Sequence, residues 1–177
     1  FMFSKPRRGI VLVRAAVVTV SDRCFAGERE DRSGPLLADL LRGQGVELVA
    51  AELVPDEEDR IEAVLASLCA RGDVDVIVTT GGTGLAPRDR TPEATRRIID
   101  REAPGLAEML RWQGHERTPR AVLSRGIAGL RGRCLIINLA GSTGAVRDGV
   151  EILAPVLGHA VQMARGENLD HGSSRND

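Results

Sequence analysis

Apolar runs and polar, glycine-bearing breaks alternate along this chain, and the apolar period switches between that of strands and that of helices. "AAVVTVSDR" (15–23) is a nearly unbroken, valine-rich run ending in polar residues. That is the pattern of a strand buried on both faces of a parallel sheet. "CFAGEREDRSG" then reads as a polar loop. "SGPLLADLLRGQG" predicts a helix, with Ser33 as its cap, Pro35 in the first turn and Gly43 or Gly45 at its end. "VELVAAELVP" (46–55) predicts a second strand. "DEEDRIEAVLASLCARG" (56–72) opens on acids and spaces Ile61, Val64, Leu65 and Leu68 as a helix does. "VDVIVTT" (74–80) is a third strand. Thr91, as cap, and Pro92 start another helix, and "PGLAEMLRWQG" predicts a short one. "RAVLSRGIAGLRGRCLIINLAG" reads as a strand, a glycine turn and a strand ending at Asn138–Leu139. "AVRDGVEILAPVLGHAVQMARG" closes as a helix in which Pro155 invites a kink.

Strands alternating with helices define an α/β fold with helices on both faces of the sheet. Ligands of such folds sit outside the carboxyl ends of the strands. Three strands end in polar or glycine-rich loops: Ser21–Asp22–Arg23, Thr80–Gly84 and Asn138–Ser142. These loops are expected to share one cleft. Residues 14–165 read as one domain, without repeats or a linker. Residues 1–13, with Phe1 ahead of Met2, read as an extension or remnant outside the fold, and 166–177 as a polar tail expected to be disordered.

Composition removes several function classes. The 177 residues carry a net charge of −1 and only 2% aromatics, so neither a basic field nor stacking platforms for nucleic acid are present. No apolar run reaches the roughly 18–20 residues of a membrane span, and "FMFSKPRR" is too short and polar for a secretory signal. Cys24, Cys69 and Cys134 fit neither a disulfide framework nor a CxxC metal site. The expected location is the cytoplasm. Lys5 is the only lysine, which removes P-loop and Schiff-base chemistry from the folded part. His115, His159 and His171 lie away from the glycine-rich loops, and no GxSxG elbow exists, which argues against a Ser–His–Asp hydrolase.

Each remaining signal has a bland reading beside the chemical one. Thr79-Thr80-Gly81-Gly82-Thr83-Gly84 can bring backbone N–H groups close to a phosphate, or can simply turn the chain. Its spacing does not match a dinucleotide fingerprint, since Pro87 and Pro92 delay the next helix. Asp89 can hold Mg²⁺, or make a solvated pair with Arg88. Asp56 can do the same, or cap the helix that follows it. Ser21 and Asp22 suit a ligand or a turn; Ser142, Thr143 and Gly144 suit an anion or a helix cap. Cys24 and Trp112 read as incidental and as packing. The joint placement of three polar loops and two aspartates at strand ends suggests a phosphorylated ligand with a metal.

"TVSDR", "DRSGPLLADLL", "VPDEEDRI", "VDVIVTTGGTGLAPRDRTPEAT", "EAPGLAEMLR", "LSRGIAG" and "INLAGSTGAVRDG" follow one another in an order that resembles the MogA/MoaB family of molybdenum-cofactor biosynthesis proteins. These are the molybdopterin adenylyltransferases, with which the gephyrin and plant G-domains belong. The resemblance runs from about Arg14 to about Met163. It implies a three-layer αβα sandwich with a mostly parallel sheet, assembled as a homotrimer. It implies adenylyl transfer from Mg·ATP to the terminal phosphate of molybdopterin, release of pyrophosphate, and hand-over to a molybdate-insertion protein. The family's two essential aspartates fall on Asp56 and Asp89, as Mg²⁺ ligands. Its substrate loops fall on Ser21, Asp22, Ser33, Gly34, Thr80, Gly81, Gly82, Thr83, Gly84, Asn138, Gly141 and Ser142, with Arg88 and Glu93 counted beside them. The family loop reads NLPGSP; Ala140 and Thr143 stand here at its two prolines. Two rivals to the enzyme are a pterin-binding carrier or scaffold that does not adenylylate, and a nucleotide-binding regulator.

Overall fold

The computed structural model describes residues 11–167; the expected tail from 168 onward and the first ten residues lie outside them. Six strands form one sheet: β1 (Arg14–Val20), β2 (Glu47–Val54), β3 (Val76–Thr80), β4 (Arg101–Glu102), β5 (Ala128–Arg131) and β6 (Cys134–Leu139). Their spatial order is β2-β1-β3-β6-β5-β4. β2, β1, β3 and β6 run parallel, while β5 runs antiparallel to both β6 and β4.

Alternation along the central strands decides the layers. Ala15 and Val17 of β1, Val76 and Val78 of β3, and Leu135 and Ile137 of β6 face one core. The helices over that face are α2 (Ser33–Gly43), α5 (Pro104–Arg117) and α6 (Thr143–Arg165). Ala16, Val18, Ile77 and Ile136 face the other core, under α3 (Glu58–Ala70) and α4 (Thr91–Ile98). Both faces of these strands are therefore apolar and buried, which is what their unbroken runs of Val and Ile require. The chain is a three-layer α/β sandwich with a mostly parallel sheet. The order reverses between β1 and β3, and a cleft opens beyond their carboxyl ends, as the doubly wound rule demands.

Several local expectations give way to better partners. A four-residue helix, α1 (Asp22–Phe25), opens the segment expected to be loop, because the Ser21 hydroxyl accepts from the Cys24 N–H. Ser33 lies inside α2 rather than capping it; Asp31 takes that work, accepting from the Gly34 N–H at 2.9 Å. Thr91 likewise lies inside α4, and its hydroxyl donates to the Gly81 carbonyl at 2.9 Å. Asp56 does not cap α3, whose cap residue is Glu57. The stretch expected as one strand before the glycine turn splits into a 3₁₀ turn, Pro119–Leu123, a loop over 124–127, and β5, the only part that is a strand. α6 continues through Pro155.

Candidate active site

The carboxyl ends of β1, β3 and β6 meet at a cleft of about 800 Å³, lined by all three predicted loops. That volume sits in the upper part of the range of ligand clefts. One wall is the glycine loop after β3. Gly81 and Gly82 have φ of 100° and 65°, a region open to glycine and strained for other residues. The loop is pinned from outside the cleft: Thr91 donates its hydroxyl to the Gly81 carbonyl, and its N–H to the Gly82 carbonyl at 3.0 Å. With those carbonyls held by α4, no backbone carbonyl among the described residues takes the N–H groups of Gly82, Thr83 and Gly84. Unclaimed donors in a glycine turn form an anion-binding concavity.

A carboxylate stands at each end of this loop. A Cβ on Gly82 would lie 3.1 Å from Asp56 Oδ1, and one on Gly84 would lie 2.7 Å from Asp89 Oδ2. Asp56 is fixed by a reciprocal exchange: its Oδ2 accepts from the Asp22 N–H at 2.7 Å, and its own N–H donates to Asp22 Oδ1 at 2.9 Å. Asp56 Oδ1 is left toward the glycines. Burial holds the Asp56 carboxyl above the ordinary carboxylate range, against the hydrogen bond from Asp22; the charges of Asp22 and Asp89 add to the rise. Asp89 accepts from the Ala86 N–H at 3.0 Å and returns its N–H to the Ala86 carbonyl, a closed turn that aims the carboxylate back at Gly84.

The predicted residues divide by where their side chains go. Ser21, Ser33, Asp56, Asp89, Thr80 through Gly84, Asn138, Gly141 and Ser142 line the cleft. Asp22, Gly34, Arg88 and Glu93 are not among its lining residues. Arg88 grips Asp22 with Nε to Oδ2 at 2.9 Å and Nη2 to Oδ1 at 2.8 Å. Against burial, those bonds hold the Asp22 carboxyl below the ordinary range. Glu93 pairs with Arg125 and is likewise held low against its own burial. Gly34 packs against Asp31 and Thr19, where a Cβ would come within 2.5 Å of either side chain. Asn138 lines the cleft but its amide is spent internally, donating to Thr79 and Thr95 hydroxyls and accepting from the Ile127 N–H. Ser142 caps α6 by accepting from the Ala145 N–H at 3.1 Å.

Residues 124–127 carry no predicted role, yet they lace the site. The Ser124 hydroxyl meets the Thr83 hydroxyl at 3.4 Å, the Arg125 N–H donates to the Thr83 carbonyl at 2.8 Å, and Arg111 of α5 donates to the Gly126 carbonyl at 2.8 Å. No spacing rule points there, because "LSRGIAG" is short, carries only Ser124 and Arg125 as polar side chains, and lies more than thirty residues downstream of the loop it holds.

A mostly parallel sheet whose switch-point cleft pairs unclaimed loop amides with two carboxylates defines a class: an α/β protein with its ligand cleft at the carboxyl ends of the strands. A family model described as a probable molybdopterin binding domain matches residues 16–159, and the chain belongs to that family. The molybdopterin adenylyltransferase of Helicobacter pylori strain J99 is 37% identical over 159 residues, covering 89% of this chain and 90% of its own. The crystal structure of the molybdopterin biosynthesis enzyme MoaB from Thermus thermophilus superposes with a TM-score of 0.83 at 51% identity, covering 88% of this chain and 98% of that one. The molybdenum cofactor synthesis protein cinnamon of Drosophila melanogaster is 41% identical over 148 residues, 83% of this chain. The chain spans 25% of that protein's length, and 52% of a bifunctional molybdenum cofactor biosynthesis protein of Synechococcus elongatus.

Proposed function

We propose that this chain is a molybdopterin adenylyltransferase, transferring the adenylyl group of ATP to the terminal phosphate of molybdopterin and releasing pyrophosphate. The observation that carries the reading is the glycine loop: its unclaimed amides lie between Asp56 and Asp89 in one cleft. The names of relatives matched along nearly their whole length support it.

The chemistry asks little of a side-chain base. The attacking oxygen belongs to a substrate phosphate, already anionic near pH 7, so the absence of histidine from the cleft lining is no obstacle. It attacks the α-phosphorus of ATP; the bond to the bridging oxygen breaks, and that electron pair leaves with pyrophosphate. The protein's work is alignment and charge neutralisation. The Gly82–Gly84 amides hold phosphate oxygens without needing a lysine. Asp56 and Asp89 suit a hard divalent cation, which takes one or two carboxylates and completes its shell with phosphates and water. Mg²⁺ held there would stabilise the departing pyrophosphate.

The proposal extends to a homotrimer that works in the cytoplasm and passes its product to a molybdate-insertion protein. Exposed Trp112, Val122 and Leu123, on α5 and the turn after it, support a subunit contact. No helix among the described residues is long and apolar enough to cross a membrane. The reading is tested by pyrophosphate release: purified protein with Mg·ATP releases it only when molybdopterin is added. Release that ignores the pterin would point to a nucleotide-directed activity instead.

A further inference from the structure

Arg125 enters the site from the loop between the 3₁₀ turn and β5. Its guanidinium makes three separate attachments to one short segment. Nε donates to the Gly84 carbonyl at 2.7 Å, Nη2 donates to the Asp89 carbonyl at 2.6 Å, and Nη1 pairs with Glu93. Its own N–H donates to the Thr83 carbonyl at 2.8 Å. Gly84 lies just ahead of the Ala86–Asp89 turn that aims the Asp89 carboxylate back at the glycine loop, and Asp89 closes that turn. One rigid fork therefore bridges the segment on either side of the turn, and Glu93, in the first turn of α4, anchors the fork. Without it, Asp89 would depend on the single Ala86–Asp89 turn, in a segment exposed from Leu85 through Arg88.

We infer that Arg125 is the positioning residue that fixes Asp89 relative to the glycine loop, so that metal is held only while the fork closes the turn. The inference rests on the adenylyl-transfer reading, in which Asp89 is a metal ligand. It assigns Glu93 the task of anchoring Arg125.

A staple for the whole fold would have different consequences from a device that aims one carboxylate. Arg125→Lys keeps the charge opposite Glu93 but cannot span both carbonyls; Arg125→Gln removes the charge as well. Hydrogen exchange, read by mass spectrometry on ligand-free protein, follows the amides of Ala86 and Asp89. Both are hydrogen-bonded inside the turn. In the lysine variant their exchange should accelerate at least tenfold while the amides of β1, β3 and β6 keep wild-type protection. In turnover, the Mg²⁺ concentration for half-maximal rate should rise about fivefold or more, kcat should fall, and the KM for molybdopterin should stay within about twofold. The glutamine variant should show the same pattern, more strongly. Should it fail to fold, the lysine variant decides alone. Unchanged exchange at Ala86 and Asp89, or acceleration spread evenly over the sheet with an unshifted Mg²⁺ dependence, overturns the inference. Wild type that forms no product overturns the adenylyl-transfer reading, while the exchange comparison still decides whether Arg125 holds the turn.

Discussion

Asp56 and Asp89 hold equivalent places at the two ends of one loop, but their surroundings differ. Asp56 is half-buried and locked to Asp22 by two backbone bonds. Asp89, equally half-buried, closes a turn exposed from Leu85 through Arg88; its carboxylate meets one amide and a glycine, and its carbonyl is held by Arg125. Asp89→Asn removes charge at nearly constant shape, so turnover should fall at least a hundredfold, roughly the scale of a lost transition-state charge partner. Molybdopterin binding, read by calorimetry, should change much less. Full activity in that variant would remove Asp89 from the mechanism. Gly84→Ala is a finer probe. The added methyl meets Asp89 Oδ2 at 2.7 Å, the oxygen that accepts from the Ala86 N–H, so the carboxylate swings aside by giving up that one hydrogen bond, at a cost of about 1 kcal/mol. The variant should melt near wild type yet lose most Mg²⁺-dependent activity. Gly81→Ala, by contrast, drives a Cβ to 2.2 Å from the Val20 carbonyl at a φ of 100°, and should cost several kcal/mol of stability in a denaturant titration.

At the scale of elements, the end of the sheet opposite the cleft is fastened by one buried carboxylate. Asp75, just before β3, accepts from the Arg14 N–H at 2.9 Å and from the side chains of Arg14 in β1 and Arg165 in α6. Burial alone would raise its pKa, but hydrogen bonds from the two arginines outweigh it and hold the carboxyl at about 2, against an ordinary 3.8. A depressed carboxyl stabilises the fold above its ordinary pKa and loses that contribution as pH falls through the folded value. Here the loss amounts to about 2 kcal/mol and falls between roughly pH 4 and pH 2. Asp75→Asn should cost about 3 kcal/mol at neutral pH, by removing the carboxylate that Arg14 and Arg165 share and leaving Arg165 with only Glu167 and the Leu12 carbonyl. Its deficit against wild type should shrink as pH falls toward 2, where the wild-type carboxyl is itself half protonated; urea midpoints across that range check this, and a constant deficit would contradict it.

The same scale marks what the sequence could express. β1, β3, β6 and the long helices were legible because burial on two faces demands unbroken Val and Ile runs, and burial on one demands helical spacing. β4 has two residues, and β5 is short and carries Gly129, so neither leaves a periodic trace. The caps at Ser33 and Thr91 went to competitors, Asp31 and the Gly81 carbonyl, that only the folded chain supplies. In the site, strand-end glycines and aspartates announce themselves. Arg125 does not, because the carbonyls of Gly84 and Asp89 reach it only once β6, with β5 at its side, has paired with β3.

Over the whole molecule, the sheet order decides the function. Placing β1 and β6 on either side of β3 brings Ser21, the glycine loop and "NLAGSTG" to one cleft, although they lie far apart in the chain. The proposed trimer belongs to this scale; light scattering should return three times the 19.0 kDa chain mass, and a single chain mass would contradict it. The central claim is adenylyl transfer between two substrates held in that cleft. Its most direct test is mass spectrometry of the pterin after anaerobic incubation of the protein with molybdopterin and Mg·ATP, beside Asp56→Ala. Adenylylated molybdopterin should form with the wild type and not with the variant. Pterin retained on the wild-type protein without adenylylation, with ATP and Mg²⁺ in excess, would contradict it and leave a molybdopterin carrier of the same fold.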